Sequence, residues 1–472
     1  MASGRHLKPA PAHLRAPAAP YASQARLLLT ALPLLFLVIV VARYAVDMPF
    51  WDQWSFVPLL EKLYAGQLAL GDLWAQHNEH RPLFAKLIML GLARLTHWNI
   101  TWELALNVFL AVGTFAALAW QIRATRLALS PGAQTLRWAV PAASLAVFSV
   151  SQYQNWLWGW QIQMVLNLLA ATGSIGLLAH RAFSWAKLGC AAALGIVATY
   201  TFANGLLCWP IGLVLVLLVN RGRKERNAAA GAWLVVSALT IASYLWRYHR
   251  PEQHPPTTLL FSMPLTYVSY VLKFIGCLGA QFSHGAEPGQ HALGSLALLE
   301  GALGLFAFGW ATWRILRQRL ASLDTLLPWF ALAAYSLGTA LITGVGRVGF
   351  GSDEALETRY GTMVVPFWVS LFVFLLLLQS PPARQPSARD RTLALTALLT
   401  FILALASSSI AATEGAAELS DLQVFCRGVV LDIAAHPEAT PDYSPLASQG
   451  PYLQNLVENY PFLAKHKLSL FR

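Results

Sequence analysis

The stretch that decides the fold is residues 26–46, RLLLTALPLLFLVIVVARYAV, which continues directly into residues 47–56, DMPFWDQWSF. An apolar run of about 20 residues can cross the hydrocarbon core of a bilayer as one helix. The segment before it is basic and free of acidic residues, and no small-residue cleavage site follows the apolar run. We therefore predict an uncleaved membrane anchor, preceded by a cytoplasmic basic leader over residues 1–25.

The composition of the whole chain points to the same class of protein. Of its 472 residues 56% are hydrophobic and only 12% are charged, and the mean hydropathy is +0.51. Soluble domains average about 25% charged residues, so a water-soluble enzyme is excluded. The four cysteines lie far apart, a pattern that supports neither a disulfide framework nor a zinc site. The net charge of +11 is explained by basic loops of a membrane protein and predicts no nucleic-acid partner.

Ten further apolar runs predict membrane spans. They cover residues 103–121, 138–151, 157–179, 185–200, 204–219, 229–247, 292–313, 325–345, 361–379 and 392–412. Two more runs, 82–97 and 264–281, are short or interrupted by Lys and Arg, and whether they span stays open. If both are interfacial or re-entrant, the inner segments hold most of the 33 Lys and Arg and only three acidic residues.

This assignment predicts an all-α, polytopic helical bundle of about 11 spans in the plasma (inner) membrane. The membrane domain covers residues 26–412, and its first outer loop, residues 47–102, carries interfacial helices. The tail, residues 413–472, is extracytoplasmic, so the N-terminus lies inside and the C-terminus outside. We find no motif in the tail.

Asp52 is the strongest candidate for catalysis in the first outer loop. It follows the first span and lies between Trp51 and Trp54. Aromatic rings at the membrane interface would partly desolvate the carboxylate and raise its basicity, which suits a general base. The alternative is that Asp47 and Asp52 cap the helix that follows.

The densest polar cluster of the chain, residues 77–81, ends the same loop. His77, Glu79 and His80 could ligate a divalent metal, and His80 or Arg81 could bind a phosphate oxygen. The spacing matches no tight metal motif, so the cofactor stays unassigned and a divalent metal stays open. A solvated loop with a few hydrogen bonds explains the cluster nearly as well.

These residues resemble the GT-C superfamily of membrane glycosyltransferases, which includes protein mannosyltransferases and aminoarabinose transferases. The resemblance rests on Asp52 after the first span, on His80-Arg81-Pro82-Leu83 and on the polar step at residues 98–103. It covers residues 26–125 and the overall topology. Many relatives have two adjacent acids where this chain has Asp52 and Gln53, so either Asp47 replaces the second acid or the chemistry differs.

A second polar cluster precedes the tenth span. It contains Arg347, Arg359 and Tyr360, together with the acidic residues Asp353, Glu354 and Glu357. The resemblance places the lipid phosphate of the donor near such an Arg-Tyr pair, and guanidinium groups bind phosphate well. Interfacial Arg and Tyr are also ordinary membrane anchors.

Other polar residues have two interpretations each. The Gln, Asn and Trp side chains of residues 151–163 could bind sugar, although interhelical hydrogen bonding and an aromatic belt are favoured. Glu300, in the middle of a predicted span, needs a partner that the sequence does not identify. Arg250 and His254 lie on the second large outer loop, where they could flank a headgroup or be solvated.

The resemblance implies transfer of a sugar from a polyprenyl-phosphate donor to a glycan, lipid or protein acceptor on the outer face, with inversion. Asp52 would be the base, and Asp47, Glu79, His80, Arg81, Arg347, Arg359 and Tyr360 would bind substrate. Membrane lipids surround the chain. A lipid-linked glycan polymerase or ligase and a flippase or transporter remain the alternatives.

Overall fold

The computed structural model describes residues 20–129, 133–180, 182–219, 222–252, 254–280, 288–379, 386–438 and 441–472. The leader predicted over residues 1–25 lies outside the described residues, except where the first helix begins. Within the described ranges the chain forms α-helices and short 3-10 helices and no β-strand, which confirms the all-α class. The α-helices, in chain order, are α1 (Pro20–Tyr44), α2 (Val57–Tyr64), α3 (Leu70–Trp74), α4 (Leu83–Thr96), α5 (Ile100–Ala128), α6 (Ala139–Val147), α7 (Tyr153–Leu157), α8 (Ile162–Ala179), α9 (Trp185–Thr199), α10 (Cys208–Val219), α11 (Arg226–Leu245), α12 (Leu259–Ser262), α13 (Pro264–Gly276), α14 (Pro288–Arg317), α15 (Leu323–Arg347), α16 (Gly361–Leu377), α17 (Ala388–Ala435) and α18 (Leu453–His466).

Eight helical segments of the described chain are long and apolar enough to cross a membrane, so this is a multi-pass membrane protein. They correspond to α1, α5, α8, α11, α14, α15, α16 and α17, with bounds that differ by a few residues at some ends. The other three predicted spans correspond to α6, α9 and α10, which have 9, 15 and 12 residues. At 1.5 Å per residue these helices are shorter than a core of about 30 Å. The total of 11 spans therefore stays a prediction.

The two apolar runs left undecided by the sequence form the helices α4 and α13. Near the end of α13, Lys273 bonds the Asp353 carboxylate at 2.5 Å and the Ser352 hydroxyl at 2.8 Å. The first outer loop also contains α2 and α3, so the predicted helices of that loop are present.

Helix α16 forms the centre of the bundle. All 17 of its residues are buried, whereas α1 leaves large apolar side chains such as Leu28, Leu32 and Leu35 exposed. Similar exposed side chains lie on α5, α11, α14 and α17, for example Phe109, Leu239, Phe306 and Leu403. A shell of apolar side chains around a buried core is the arrangement that lipid tails solvate.

The loops that the sequence assigns to the outer face meet at one end of the bundle, which we call the site end. It consists of the segments that follow α1, α6, α9, α11, α15 and α17. Contacts between these segments include Gln76 with the His249 carbonyl at 2.5 Å and the Ala203 N–H with His80 at 3.2 Å. The opposite, basic end joins Arg314 to Asp390 and Thr135 to the Leu376 carbonyl.

Helix α17 is longer than its predicted span. It runs for 48 residues without interruption, so the expected boundary between residues 412 and 413 lies inside one helix. The first part of the predicted tail, up to Ala435, is the continuation of that helix. Beyond it, the segment Ser444–Tyr452, α18 and Ser469–Phe471 fold back onto the first outer loop.

Candidate functional site

Asp47 anchors the first outer loop to two other parts of the chain. Its Oδ1 accepts hydrogen bonds from the Ile100 N–H at 2.9 Å and the Ser469 hydroxyl at 3.3 Å. Its Oδ2 accepts from the Arg472 guanidinium at 2.6 and 3.1 Å. With both oxygens engaged, Asp47 ties the end of α1 to the start of α5 and to the tail. The contacts favour a structural role over that of a second acid beside Asp52.

Asp52 lies in a short 3-10 helix, Trp51–Phe56, at the centre of the site end. Its Oδ2 is 3.3 Å from His77 Nε2, and the Tyr452 hydroxyl from the tail is a second hydrogen-bond partner. Only 15% of the side chain is exposed. Asp52 therefore has one partner from its own loop and one from a segment about 400 residues later in the sequence.

The electrostatics of Asp52 differ from the prediction made from sequence. Burial raises the pKa of the carboxyl, but the hydrogen bonds and charge of His77, the hydroxyl of Tyr452 and the positive charge of Arg359 together hold the pKa below its usual value. The expected rise in basicity was wrong, because the partners of the carboxylate outweigh its desolvation. Asp52 is thus ionised at neutral pH.

A tight turn places His77 and Glu79 in the site. The backbones of His77 and His80 exchange two hydrogen bonds of 2.9 Å, and Asn78 adopts a left-handed conformation with φ 48°. The Nδ1 of His80 accepts the Ala203 N–H at 3.2 Å, and its ring stacks on Phe202 at 3.8 Å. Burial lowers the pKa of His80 to about 4, so the ring is neutral and its Nε2–H faces Glu79 at 3.6 Å.

Glu79 connects the first outer loop to the end of α15. Its Oε1 accepts a hydrogen bond of 2.8 Å from Arg347, and His254 Nε2 lies 3.6 Å from Oε2. Despite burial, which raises it, the pKa of Glu79 is lowered to about 2 by its neighbours His80 and Arg347, the latter acting through both its charge and its hydrogen bond. Glu79 is therefore a permanent anion at neutral pH.

Arg347 and Arg359 converge on a single carboxylate oxygen. Oε1 of Glu354 lies 3.4 Å from Arg347 and 3.5 Å from Arg359, and Arg359 also contacts Glu357 at 3.1 Å. Burial and the charge of Glu357 raise the pKa of Glu354. The two guanidinium groups thus form one anion-binding position, which Glu354 occupies in this structure.

Residues of the polar stretch 151–163 form hydrogen bonds to Glu357 and Arg359, next to this anion-binding position. Gln154 donates to Glu357 at 3.0 Å and accepts the Arg359 N–H at 3.2 Å. Asn155 donates to the Arg359 carbonyl at 2.8 Å. Tyr360 is buried, and its ring lies 5.4 Å from the Arg359 guanidinium carbon and 4.9 Å from the Phe274 ring. These residues hold the backbone and side chain of Arg359 in place.

Arg81 is placed differently from the two other arginines of the predicted site. Its guanidinium donates to the carbonyls of Tyr244 at 2.8 Å, Trp74 at 3.0 Å and Trp246 at 2.6 Å, and the residue is 4% exposed. An arginine satisfied by three carbonyls joins segments of the fold and has little capacity left for phosphate. The contacts favour a structural role for Arg81.

Gln53, the residue that follows Asp52, belongs to a buried network beside the Asp52 carboxylate. Its Nε2 donates to Glu103 at 2.7 Å, and the Trp98 indole donates to the other oxygen of Glu103 at 3.0 Å. All three side chains are fully buried. Gln53 therefore packs away from the site and contributes no second carboxylate.

The structure adds residues that the sequence did not assign to the site. Tyr452 and Gln449 come from the tail, where no motif marked them. Glu354 and Glu357 lie in a cluster that the sequence did single out, but only the fold shows that they bind the two arginines. Arg250, by contrast, bonds the carbonyls of His254 and Pro255 within its own loop.

The described residues include no group of three or more His, Cys, Asp or Glu arranged to hold a metal ion. Comparisons of the chain with protein-family models, with curated proteins and with solved structures found no match. The site is therefore interpreted from its own chemistry. It combines an ionised, mostly buried carboxylate with two guanidinium groups at one end of a membrane bundle.

Proposed function

We propose that the protein is a membrane glycosyltransferase that uses a polyprenyl-phosphate sugar as donor. The observation that carries the proposal is the convergence of Asp52 and Arg359. The charge of Arg359 acts on the Asp52 carboxyl, although one residue follows α1 and the other precedes α16. A carboxylate and a guanidinium close enough for the charge of one to act on the other suit the two ends of a glycosyl transfer from a lipid phosphate.

The chemistry assigns one role to each group. Asp52 accepts the proton of an acceptor hydroxyl while the acceptor oxygen forms a bond to the anomeric carbon of the donor sugar. The bond between that carbon and the phosphate oxygen breaks, and the lipid phosphate leaves with the electron pair. Attack from the face opposite to the leaving group inverts the anomeric configuration. The guanidinium groups of Arg347 and Arg359 stabilise the charge on the departing phosphate.

Donor binding also changes the charge balance around Asp52. Without substrate, the charge of Arg359 and the partners His77 and Tyr452 keep the Asp52 pKa low, which makes the carboxylate a weak base. A phosphate beside Arg359 neutralises part of that positive charge and raises the basicity of Asp52. The base therefore becomes stronger when the donor is in place.

The phosphate must displace Glu354 from the two arginines. Both guanidinium groups are already paired with carboxylates, so an entering phosphate competes with Glu354 Oε1 for the same position. The raised pKa of Glu354 makes this exchange easier, because a carboxyl that protonates readily gives up its ion pairs. Arg347 keeps its bond to Glu79 during the exchange.

The membrane orientation of the proposed enzyme follows from charge. The basic end would face the cytoplasm under the positive-inside rule, which places the site end outside. A cysteine at exposed Asp442 should react with an impermeant thiol reagent in intact spheroplasts, and one at exposed Lys224 should react only in inverted vesicles. Both variants carry Cys190→Ser, since Cys190 is exposed and the other three cysteines are buried. The reverse labelling pattern would refute the orientation.

The experiment that tests the function compares lipid-linked sugars and envelope glycans in strains that lack the gene. Each strain is complemented with wild type, Asp52→Asn or Asp432→Asn at equal membrane abundance. Asp432 is a matched control because its side chain is 77% exposed. We expect wild type and Asp432→Asn to restore the missing sugar and Asp52→Asn to leave the donor unused. Full restoration by Asp52→Asn would overturn the proposal.

One contact keeps a second candidate function open, a polymerase or ligase of lipid-linked glycans. His254, on the second large loop of the site end, lies 3.6 Å from Glu79 in the same cluster. Such an enzyme would depend on that loop, so His254→Ala would abolish activity while Asp52→Asn would retain it. The length distribution of envelope glycan in the two strains separates the functions.

A further inference from the structure

We propose that the C-terminal segment of residues 444–472, which we call the tail clamp, is part of the site and that Gln449 and Tyr452 position Asp52. The clamp consists of Ser444–Tyr452, α18 and Ser469–Phe471. Its effect on catalysis rests on the proposed function, whereas its effect on the conformation of the Asp52 loop does not.

The clamp is firmly attached to the first outer loop. Four of its leucines, Leu446, Leu456, Leu463 and Leu468, are fully buried. The Ser469 N–H donates to the His97 carbonyl at 3.0 Å. The rings of Phe462 and His466 pack against Tyr64, and Arg472 bonds Asp47. Burial of this apolar surface and the ion pair keep the segment against the loop.

The first positioning contact acts on Trp51, the residue before Asp52. Trp51 has φ 46°, a left-handed conformation that is unfavourable for a bulky residue and marks strain at a functional position. Its N–H donates to Gln449 Oε1 at 3.3 Å, and its indole donates to the Ser448 carbonyl at 3.0 Å. Two residues of the clamp thus hold Trp51 in this conformation, which fixes the direction of the Asp52 side chain.

The orientation of Gln449 is itself determined by α17. Gln449 is fully buried, and its Nε2 donates to the sulfur of Cys426 at 3.4 Å. Its Oε1 is therefore the atom that faces Trp51. Gly450, with φ 53°, follows in a conformation that favours glycine and turns the chain between Gln449 and Tyr452.

The second positioning contact is that of Tyr452 with the Asp52 carboxylate. The hydroxyl hydrogen-bonds Asp52 and the Asn78 side chain. It is one of three groups that lower the pKa of Asp52, with His77 and Arg359 as the others. The same bond gives the carboxylate a second side-chain partner besides His77. Gln449 acts on Asp52 through the backbone of Trp51, whereas Tyr452 acts on the Asp52 carboxylate itself.

The experiment measures hydrogen–deuterium exchange of residues 47–56 in Gln449→Leu, Tyr452→Phe and Gln454→Leu, in parallel with the pH profile of glycosyl transfer. Gln454 is a matched control because it is an exposed clamp residue that bonds only Glu458 in the described contacts. We expect Gln449→Leu to exchange at least about tenfold faster at Trp51 and to lower kcat with little change in KM. We expect Tyr452→Phe to shift the acidic limb of the pH profile upward by about one unit.

Exchange and pH profile that match wild type in both variants would overturn the proposal. If Gln449→Leu does not fold, Tyr452→Phe decides it alone, because loss of one hydroxyl leaves the ring packed. Faster exchange in a protein with no glycosyl transfer would support the clamp and refute the proposed function. The two failures are therefore distinguishable.

Discussion

The guanidinium of Arg347 donates a 2.8 Å hydrogen bond to the carboxylate of Glu79, although the two residues lie 268 positions apart. The bond joins the turn at residues 77–80 to the end of α15, where Arg347 also pairs with Glu354. It therefore couples the loop that holds Asp52 to the pair of arginines proposed to bind phosphate. The predictions below follow from this connected set of contacts.

Stability should depend on pH through Glu79. Its pKa in the folded protein is about 2, below the ordinary value of 4.5, so its stabilisation is complete above pH 4.5 and is lost as pH falls toward 2. We expect wild type to lose thermal stability over this range in detergent more steeply than Glu79→Gln. The two unfolding temperatures should converge near pH 2. Parallel curves would show that Glu79 is not the titrating group.

The three arginines of the site should separate into structural and substrate-binding residues. A lysine at position 81 cannot keep all three hydrogen bonds that Arg81 donates to carbonyls. Arg81→Lys should therefore lower the free energy of unfolding by about 2–3 kcal/mol, with a small change in donor KM. Arg359→Lys should instead raise donor KM by about tenfold, since lysine lacks the planar fork that pairs with phosphate. Thermal unfolding and steady-state kinetics measure the two effects. A large KM effect of Arg81→Lys would assign Arg81 to the substrate.

Removing the carboxylate that occupies the phosphate position should favour the donor. Glu354→Gln keeps the shape of the side chain but no longer pairs with Arg347 and Arg359 as an anion. We expect donor KM to fall by about three- to tenfold, which corresponds to about 1 kcal/mol of donor binding free energy that no longer opposes the Glu354 ion pairs. Asp353→Asn is the control, since Asp353 pairs with Lys273 outside the two arginines. A higher donor KM in Glu354→Gln would mean that Glu354 binds substrate.

A methyl group at Gly159 should disrupt the buried network of Gln53, Glu103 and Trp98. A Cβ there would lie 2.1 Å from Glu103 Oε2 and 2.7 Å from Gln53 Nε2. We expect Gly159→Ala to destabilise the protein by about 3 kcal/mol and to reduce activity. Gly428→Ala is the control, because no atom lies within 4 Å of its added Cβ and alanine favours the helix. Equal unfolding temperatures for the two variants would contradict the packing of Gln53 against Glu103.

Much of the class of the fold follows from the sequence. Residues 26–46 and the other apolar runs predict helices, and each of them contains one in the structure. The grouping of the outer loops was also predictable, because Lys and Arg concentrate in alternate loops and the remaining loops must then share the other end. The lengths of the helices were less predictable. Short 3-10 helices lie on both sides of α6, which has only nine residues, whereas α17 continues for 48.

The candidate site was only partly predictable. Glu79, His80, Arg347, Arg359 and Tyr360 were named from local polarity, and the structure brings all of them to the site end. Asp47 and Arg81 are also charged residues of the first outer loop, yet their partners are backbone groups and residues of the tail. No local signal distinguishes these cases, because a carboxylate or guanidinium shows its role only through the groups that surround it.

The sequence by itself determined that this is an all-α membrane protein, and it predicted that the loops with the candidate site residues share one end. The reason is that crossing a bilayer requires about 20 consecutive apolar residues, a property that is local and can be read along the chain. Only the tertiary structure decided that Asp52 meets His77, Tyr452 and Arg359 and that its pKa falls instead of rising. Those partners come from three segments far apart in sequence, and their charges combine only after the helices pack.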